Sequence, residues 1–180
     1  TSLPGAAITQ AKIEKVRHPF STIPGVKEDV VELMLNLKKI RVAYEGEGPV
    51  KLTIDKKGPG TIKAGDIKTP ANVKISNPDL HIATLADSKS VFSAEFTVDT
   101  GTGYSFADER KTGTLGVIVL DAIYTPITRV NYKVEATRVG RLTNYDKLIL
   151  EVWTDGTVKP SDAIIKSAEI LRSYYSQIIS

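Results

Sequence analysis

The sequence has 180 residues, 41% hydrophobic and 25% charged. A chain of that size buries about two-thirds of its unfolded surface and needs no staples to fold. It has no cysteine, which excludes disulfides and thiolate metal sites, and no apolar run near the ~20 residues of a bilayer-spanning helix. Its net charge of +3 is spread along the chain, short of the concentrated basic stripe of a nucleic-acid binder.

The opening Thr1-Ser2-Leu3-Pro4-Gly5 has neither the basic start nor the apolar stretch of a signal peptide. No initiator Met heads it, so the chain reads as processed, trimmed or a fragment. Ala6–Val16 alternates imperfectly, but its Ile and Val residues favour a strand. Val26, Val30, Leu33, Met34 and Leu37 recur at helical spacing, with Glu28 and Asp29 early and Lys38 and Lys39 late, as the helix dipole favours. The spacing predicts a helix over Val26–Lys38. Strands are expected at Ile40–Tyr44, Val50–Asp55, Asn72–Ile75, His81–Leu85, Ser90–Asp99 and Thr114–Asp121. Gly- and Pro-containing turns separate them. The last is apolar throughout Leu115–Leu120 except for Gly116, and is expected to be buried on both faces.

Pro126 marks the best boundary. Two alternating strands follow, Ile127–Arg138 and Lys147–Thr154, with Val139–Asp146 between them as a loop. The final element is an amphipathic helix opened by Pro160. Asp162, Lys166, Glu169, Ser173, Ser176 and Ser180 trace its polar stripe, and Ala163, Ile164, Ala168, Ile170, Leu171, Tyr174, Tyr175, Ile178 and Ile179 form a broad apolar face.

Chemical signatures are sparse. The sequence contains no GxxxxGK[ST] loop, HExxH, GxSxG or EF-hand pattern. His18 and His81 are the only histidines, better suited to local hydrogen bonds than to a shared metal. Gly101-Thr102-Gly103 lacks the third glycine and the helix of a dinucleotide site and reads as a turn. Asp108-Glu109-Arg110-Lys111 is a mixed-charge cluster. Phe20, Phe92, Phe96 and Phe106 lack the basic interleaving of a single-strand binder. The residues by themselves give an α+β protein with a boundary near Pro126, no catalytic residues, no metal site and no cofactor.

A longer string is more specific. Val119–Glu135 reads VLDAIYTPITRVNYKVE, and Thr137–Leu148 continues TRVGRLTNYDKL into Trp153-Thr154-Asp155-Gly156 and Pro160. Phe20–Val30 reads FSTIPGVKEDV, followed by Leu35-Asn36-Leu37-Lys38, and Asn77–Leu85 reads NPDLHIATL. These runs resemble the bacterial DNA-directed RNA polymerase alpha-subunit family over essentially the whole chain. Three departures stand out. Thr102 replaces the basic residue of the family's "GRGY" turn, and Ser105-Phe106-Ala107 stands in place of its "VPA". Lys159 also replaces the acidic residue common before the helix-starting proline.

The resemblance implies an α+β fold. Residues 5–126 would be an inserted β-rich domain, and residues 127–180, with 1–4, part of a dimerisation domain made of two long strands and a C-terminal helix. It implies a non-catalytic scaffold subunit that dimerises and nucleates assembly of the polymerase beta and beta-prime subunits. Neither DNA nor membrane contact is expected of these residues. The location would be the bacterial cytoplasm, or a plastid as the alternative. Lys38 and Leu120 would face beta-prime. Arg138, Val139, Gly140, Thr143, Asp146 and Lys147 would face beta. Ile164, Ala168, Leu171, Tyr175 and Ile178 would line the interface with a second alpha subunit. The family's first strand and helix and its DNA-binding C-terminal domain would lie outside the sequence. Read locally, Lys38 is a helix-end charge and Asp146-Lys147 an ion pair. The competing functional readings are a stand-alone β-rich protein-binding module and, with less support, an independent enzyme.

Overall fold

A computed structural model describes residues 2–16, 18, 20–110, 113–114 and 116–179. Thr1, Lys111, Leu115 and Ser180, each part of a segment singled out above, lie outside the described residues. The fold is α+β and mostly strand. It divides into two compact units, Thr1–Thr125 and Pro126–Ser180.

The first unit is built on an antiparallel sheet. Strand β1 (Pro4–Ile13) is followed by helix α1 (Val30–Leu37), β2 (Val42–Tyr44), β3 (Val50–Lys57), β4 (Gly60–Lys63), β5 (Val73–Ile75), β6 (His81–Leu85) and β7 (Val91–Thr102). Then come β8 (Tyr104–Ser105), β9 (Val117–Val119) and β10 (Ala122–Ile123). The main sheet runs β3-β7-β1-β2-β5, with β9 also on β1. Strand β7 is its spine. Phe92, Ala94, Phe96 and Val98 are buried at every second position, the strand period with one face in the core. Phe96 lies opposite Leu52 of β3 and Ala11 of β1, and all three are fully buried. The small Ala11 leaves room for the Phe96 ring.

The imperfect alternation of β1 has a structural cause. The register with β7 shifts between Ile8 and Gln10, so an extra residue changes the parity of the strand. Ile8 pairs with Val98, Ala11 with Phe96 and Ile13 with Ala94, and all three β1 residues face the core. Pro4 pairs with Thr102, so the first unit holds this end of the strand. The 114–121 segment is shorter than expected. Among its described residues only Val117–Val119 forms a strand, paired with Lys12–Gln10, and Val117 and Val119 are only half-buried.

Helix α1 starts four residues later than its apolar spacing suggested. Asp29 is extended and caps it, accepting a 2.7 Å bond from the Glu32 N–H. The preceding residues lie along β6. Lys27 N–H donates to Thr84 O at 3.0 Å. The Glu28 carboxylate accepts from Thr84 N–H at 2.6 Å and Thr84 Oγ1 at 2.9 Å, and binds His81 Nε2 at 2.9 Å. Burial pushes the Glu28 carboxyl up, but these hydrogen bonds outweigh it and hold its pKa below the ordinary value. Helix α1 buries Val30, Leu33 and Leu37 on the side where Asn36 Nδ2 reaches Ile82 O at 3.1 Å.

The second unit comprises hairpin β11 (Ile127–Val139) and β12 (Leu142–Thr154), then α2 (Pro160–Ile179). The loop expected over Val139–Asp146 is not there. Val139 pairs with Leu142 and Thr137 with Tyr145, so both strands run on and only Gly140-Arg141 turns. Gly140 makes this possible with φ 61°, a conformation glycine adopts without a Cβ penalty.

Candidate partner-binding surfaces

One surface of the first unit gathers around Asp121. Lys38 caps the end of α1, and its ammonium meets Asp121 Oδ2 at 2.7 Å. Asp121 Oδ1 accepts the Ala107 N–H at 2.9 Å. The Lys38 hydrogen bond, then the Ala107 N–H, lower the Asp121 pKa to about 2 from an ordinary 3.8, with burial opposing them. Arg110 ties the neighbouring backbone together. Its Nε donates to Ser105 Oγ at 3.0 Å and its Nη2 to Ser105 O at 3.3 Å and Leu120 O at 2.5 Å. Its Nη1 donates to Thr9 O at 3.3 Å. Leu120 is fully buried and its N–H donates to Thr9 O at 2.8 Å. Its side chain therefore belongs to the core, while Lys38 lies half-exposed at the surface.

The glycine pair of the Gly101-Thr102-Gly103 run shapes the same region. A Cβ on Gly101 would stand 2.7 Å from the Tyr124 ring, and Tyr124 N–H donates to Gly103 O at 2.9 Å. Sequence reading left this cluster undetected, because Lys38 and Asp121 are 83 positions apart and neither carries a local motif.

Asp121 should act as a pH-dependent tether. A depressed carboxyl pKa contributes stability above its unfolded value, and that contribution is lost as pH falls through the folded value. Asp121→Asn should therefore destabilise the protein at pH 7 by about 1–3 kcal/mol, the usual cost of breaking a charged hydrogen bond. The gap between variant and parent should close between about pH 4 and pH 2. Paired urea titrations across that range read the difference directly. Equal stabilities at pH 7 would contradict the tether.

The second unit has a different character. Val130 pairs with Val152, Tyr132 with Leu150 and Val134 with Leu148, which puts these six side chains on one sheet face. All but Val152 are exposed, Tyr132 at 70%. The other face is mixed, with Ile149 and Trp153 among polar residues. Asn131 Nδ2 donates to Glu151 Oε2 at 2.8 Å and Lys133 pairs with Glu135 at 2.6 Å. Nearer Pro126, the Arg129 guanidinium lies 4.7 Å from the Trp153 ring centroid.

Arg138, Val139, Gly140 and Thr143 sit exposed at the hairpin tip, where Arg138 Nε donates to Gly140 O at 2.6 Å. Asp146 and Lys147 are exposed further down β12, across from Ala136 and Glu135. As consecutive strand residues they point to opposite faces, so the expected ion pair between them is not built into the strand. On α2, Ala163 is the one buried residue among those described. Ile164, Ala168, Leu171, Tyr175 and Ile178 are all exposed, Ile178 at 79%.

Among the described residues no group of three or more His, Asp or Glu side chains could hold a metal ion. No helix among them is long and apolar enough to cross a membrane. What the surfaces offer is apolar area, with a tethered Lys38 and a turn-fixed Arg138, and that is the chemistry of protein–protein contact.

Comparison with known proteins finds relatives along the whole chain. Residues 11–125 match the family model described as the RNA polymerase Rpb3/RpoA insert domain. The DNA-directed RNA polymerase subunit alpha of Roseiflexus sp. (strain RS-1) is 49% identical over 178 residues, covering 99% of this chain and 55% of that protein. The protein of the same name from Symbiobacterium thermophilum is 50% identical over 182 residues, covering 100% of this chain and 58% of that protein. That of Herpetosiphon aurantiacus is 48% identical over 178 residues. The chain spans about half the length of the curated relatives it matches.

Proposed function

The chain belongs to the RNA polymerase Rpb3/RpoA insert-domain family, on its bacterial alpha-subunit side, and we propose that it is a non-catalytic scaffold part of a DNA-directed RNA polymerase. In this reading residues 5–126 form the insert domain, and the hairpin and α2 form part of a dimerisation domain. Two copies pair through Ile164, Ala168, Leu171, Tyr175 and Ile178. The pair then recruits the two large polymerase subunits, beta at the hairpin and beta-prime at the Lys38 face. The work is done in the bacterial cytoplasm, without a cofactor on this chain.

The observation that carries the reading is the exposure of the second unit. Its hairpin leaves five large apolar side chains of one face in solvent, and α2 leaves most of its apolar face there. Burying a large apolar side chain is worth about 1.5–3 kcal/mol, so these surfaces gain most when another chain covers them. The polar roles are narrower. Arg138 is held at the tip by its bond to Gly140 O, so its guanidinium, a directional donor, is presented in a fixed orientation. Leu120 contributes from within the core, by fixing the backbone that Arg110 grips.

The ranking of two arginines tests this. Arg138→Ala in the full-length protein should weaken binding of the beta subunit by about 2 kcal/mol or more, the loss typical of a desolvated charged contact. Arg141→Ala, in the turn itself, should change it little, as a rim charge does. Both variants are checked for folding by circular dichroism before titration against beta. Equal affinities of the two variants would contradict the placement of beta at this tip.

A further inference from the structure

Beside the Lys38–Asp121 pair lies an apolar patch that the assignments above leave unused. Tyr104 and Phe106 stand edge to face, with ring centroids 4.9 Å apart and planes at 72°. Ile123 lies directly across from Tyr104 in the β8–β10 ribbon. All three are exposed, at 50%, 58% and 38%. We propose that this aromatic pair, with Ile123, is a preformed anchor for the same protein partner that docks on the Lys38 face. The proposal rests on the scaffold reading and adds to it a residue, Phe106, where the resembling sequences carry the proline of their "VPA" run.

Three observations carry it. The backbone that carries the exposed rings is tied down on both sides. The Ala107 N–H is held by Asp121 at 2.9 Å, and Ser105 is gripped through both side chain and carbonyl by Arg110. Phe106 is thus fixed from the residue before it and the residue after it. A ring ordered before binding loses little further freedom on docking, and aromatic side chains are over-represented among the residues that dominate interface energies.

The patch is also continuous with the Lys38 face. One carboxylate, Asp121, holds the Lys38 ammonium on one oxygen and the backbone next to Phe106 on the other. A partner that covers Lys38 therefore reaches the rings through a single shared support.

Charge then selects the partner's chemistry. The Lys38 ammonium is neutralised by Asp121 at 2.7 Å, and Asp108 and Glu109 follow close behind Phe106, so the surface around the rings is not a cationic one. That suits an aliphatic or aromatic segment of a protein and offers little to a phosphate backbone, which needs unpaired Lys and Arg.

The test uses the full-length protein and the purified beta-prime subunit, with binding read by titration. Phe106→Ala should raise the dissociation constant at least about tenfold, in the range of interface hot spots. Phe20→Ala, a still more exposed ring elsewhere at 86%, should leave it unchanged. Circular dichroism and melting of each variant confirm that the fold is kept. Lys38→Glu separates the two claims. Should Lys38→Glu weaken binding while Phe106→Ala does not, the anchor is wrong and the docking face stands. Should neither weaken it, the docking face and the anchor fall together.

Discussion

Phe96→Ala should destabilise the first unit by about 3–5 kcal/mol, the usual cost of removing a buried ring. Phe96 sits in the middle of β7, the strand that bridges β3 and β1. Its ring lies in the row formed with Leu52 and Ala11. Ala11 has only a methyl group, with no rotamer to swing into the space, and Leu52 is held in a strand paired along its length with β7. The site therefore cannot collapse, and the cavity remains. Against a total stability of about 5–15 kcal/mol for an ordinary domain, one substitution takes a large share. Phe20→Ala removes the same ring from a site 86% exposed and should cost no more than about 0.5 kcal/mol. Guanidinium denaturation of both variants beside the parent measures the contrast. A Phe96→Ala midpoint matching that of Phe20→Ala would show that the β7 row is not the core of this unit.

On the proposed pairing through α2, replacing Leu171 and Ile178 together by Glu should leave the full-length protein monomeric. The two side chains are 56% and 79% exposed and seven residues apart, so they lie on one side of α2, about two turns apart. Each contributes about 1.5–3 kcal/mol if an interface buries it fully, and a symmetric pair carries both residues on each chain, together about 6–12 kcal/mol. Every 1.4 kcal/mol is a factor of ten, so the dimer should weaken by roughly four to eight orders of magnitude. Added carboxylates would strengthen the effect, because an unpaired charge is costly to bury. The folded second unit has little to lose, since neither residue is part of its core. Sedimentation equilibrium should show monomer for the double variant and dimer for the parent. An unchanged dimer would remove α2 from the interface.

Much of the fold was legible where hydrophobic period and turn chemistry agree. Strand β6 was read as it stands, and α2 carried both its opening proline and its amphipathic face. The misreadings have separate physical causes. The bulge near Thr9 changes the parity of β1, so a strict period-2 reading splits one buried face into two. Helix α1 begins late because Asp29 serves as its cap, while Glu28 is drawn to Thr84 and His81. The hairpin tip was read as a loop because Gly140, Thr143 and Asn144 suggest one, yet a single glycine at positive φ suffices for a two-residue turn.

The candidate surfaces were less legible than the fold. Lys38 and Arg138 stand out only through resemblance to a family; the α2 ridge is visible in the helical period, but its role as an interface again comes from the resemblance. The Asp121–Arg110 network joins β1, the end of α1 and the backbone around Ser105 and Leu120 over long sequence separations, which no local pattern encodes. In the sequence Phe106 is one of four scattered phenylalanines and a departure from the family's "VPA", and neither marks it as part of a surface. Its partner ring and its exposure belong to the folded chain.

The central claim is that this protein is a polymerase scaffold, and reconstitution tests it most directly. The full-length protein, tagged and mixed with purified beta and beta-prime subunits from its own source, should elute with both as one complex on size-exclusion chromatography. It should contribute two copies to that complex. Elution apart from both large subunits, with the protein shown to be folded, would contradict the account and favour a β-rich binding module outside the polymerase.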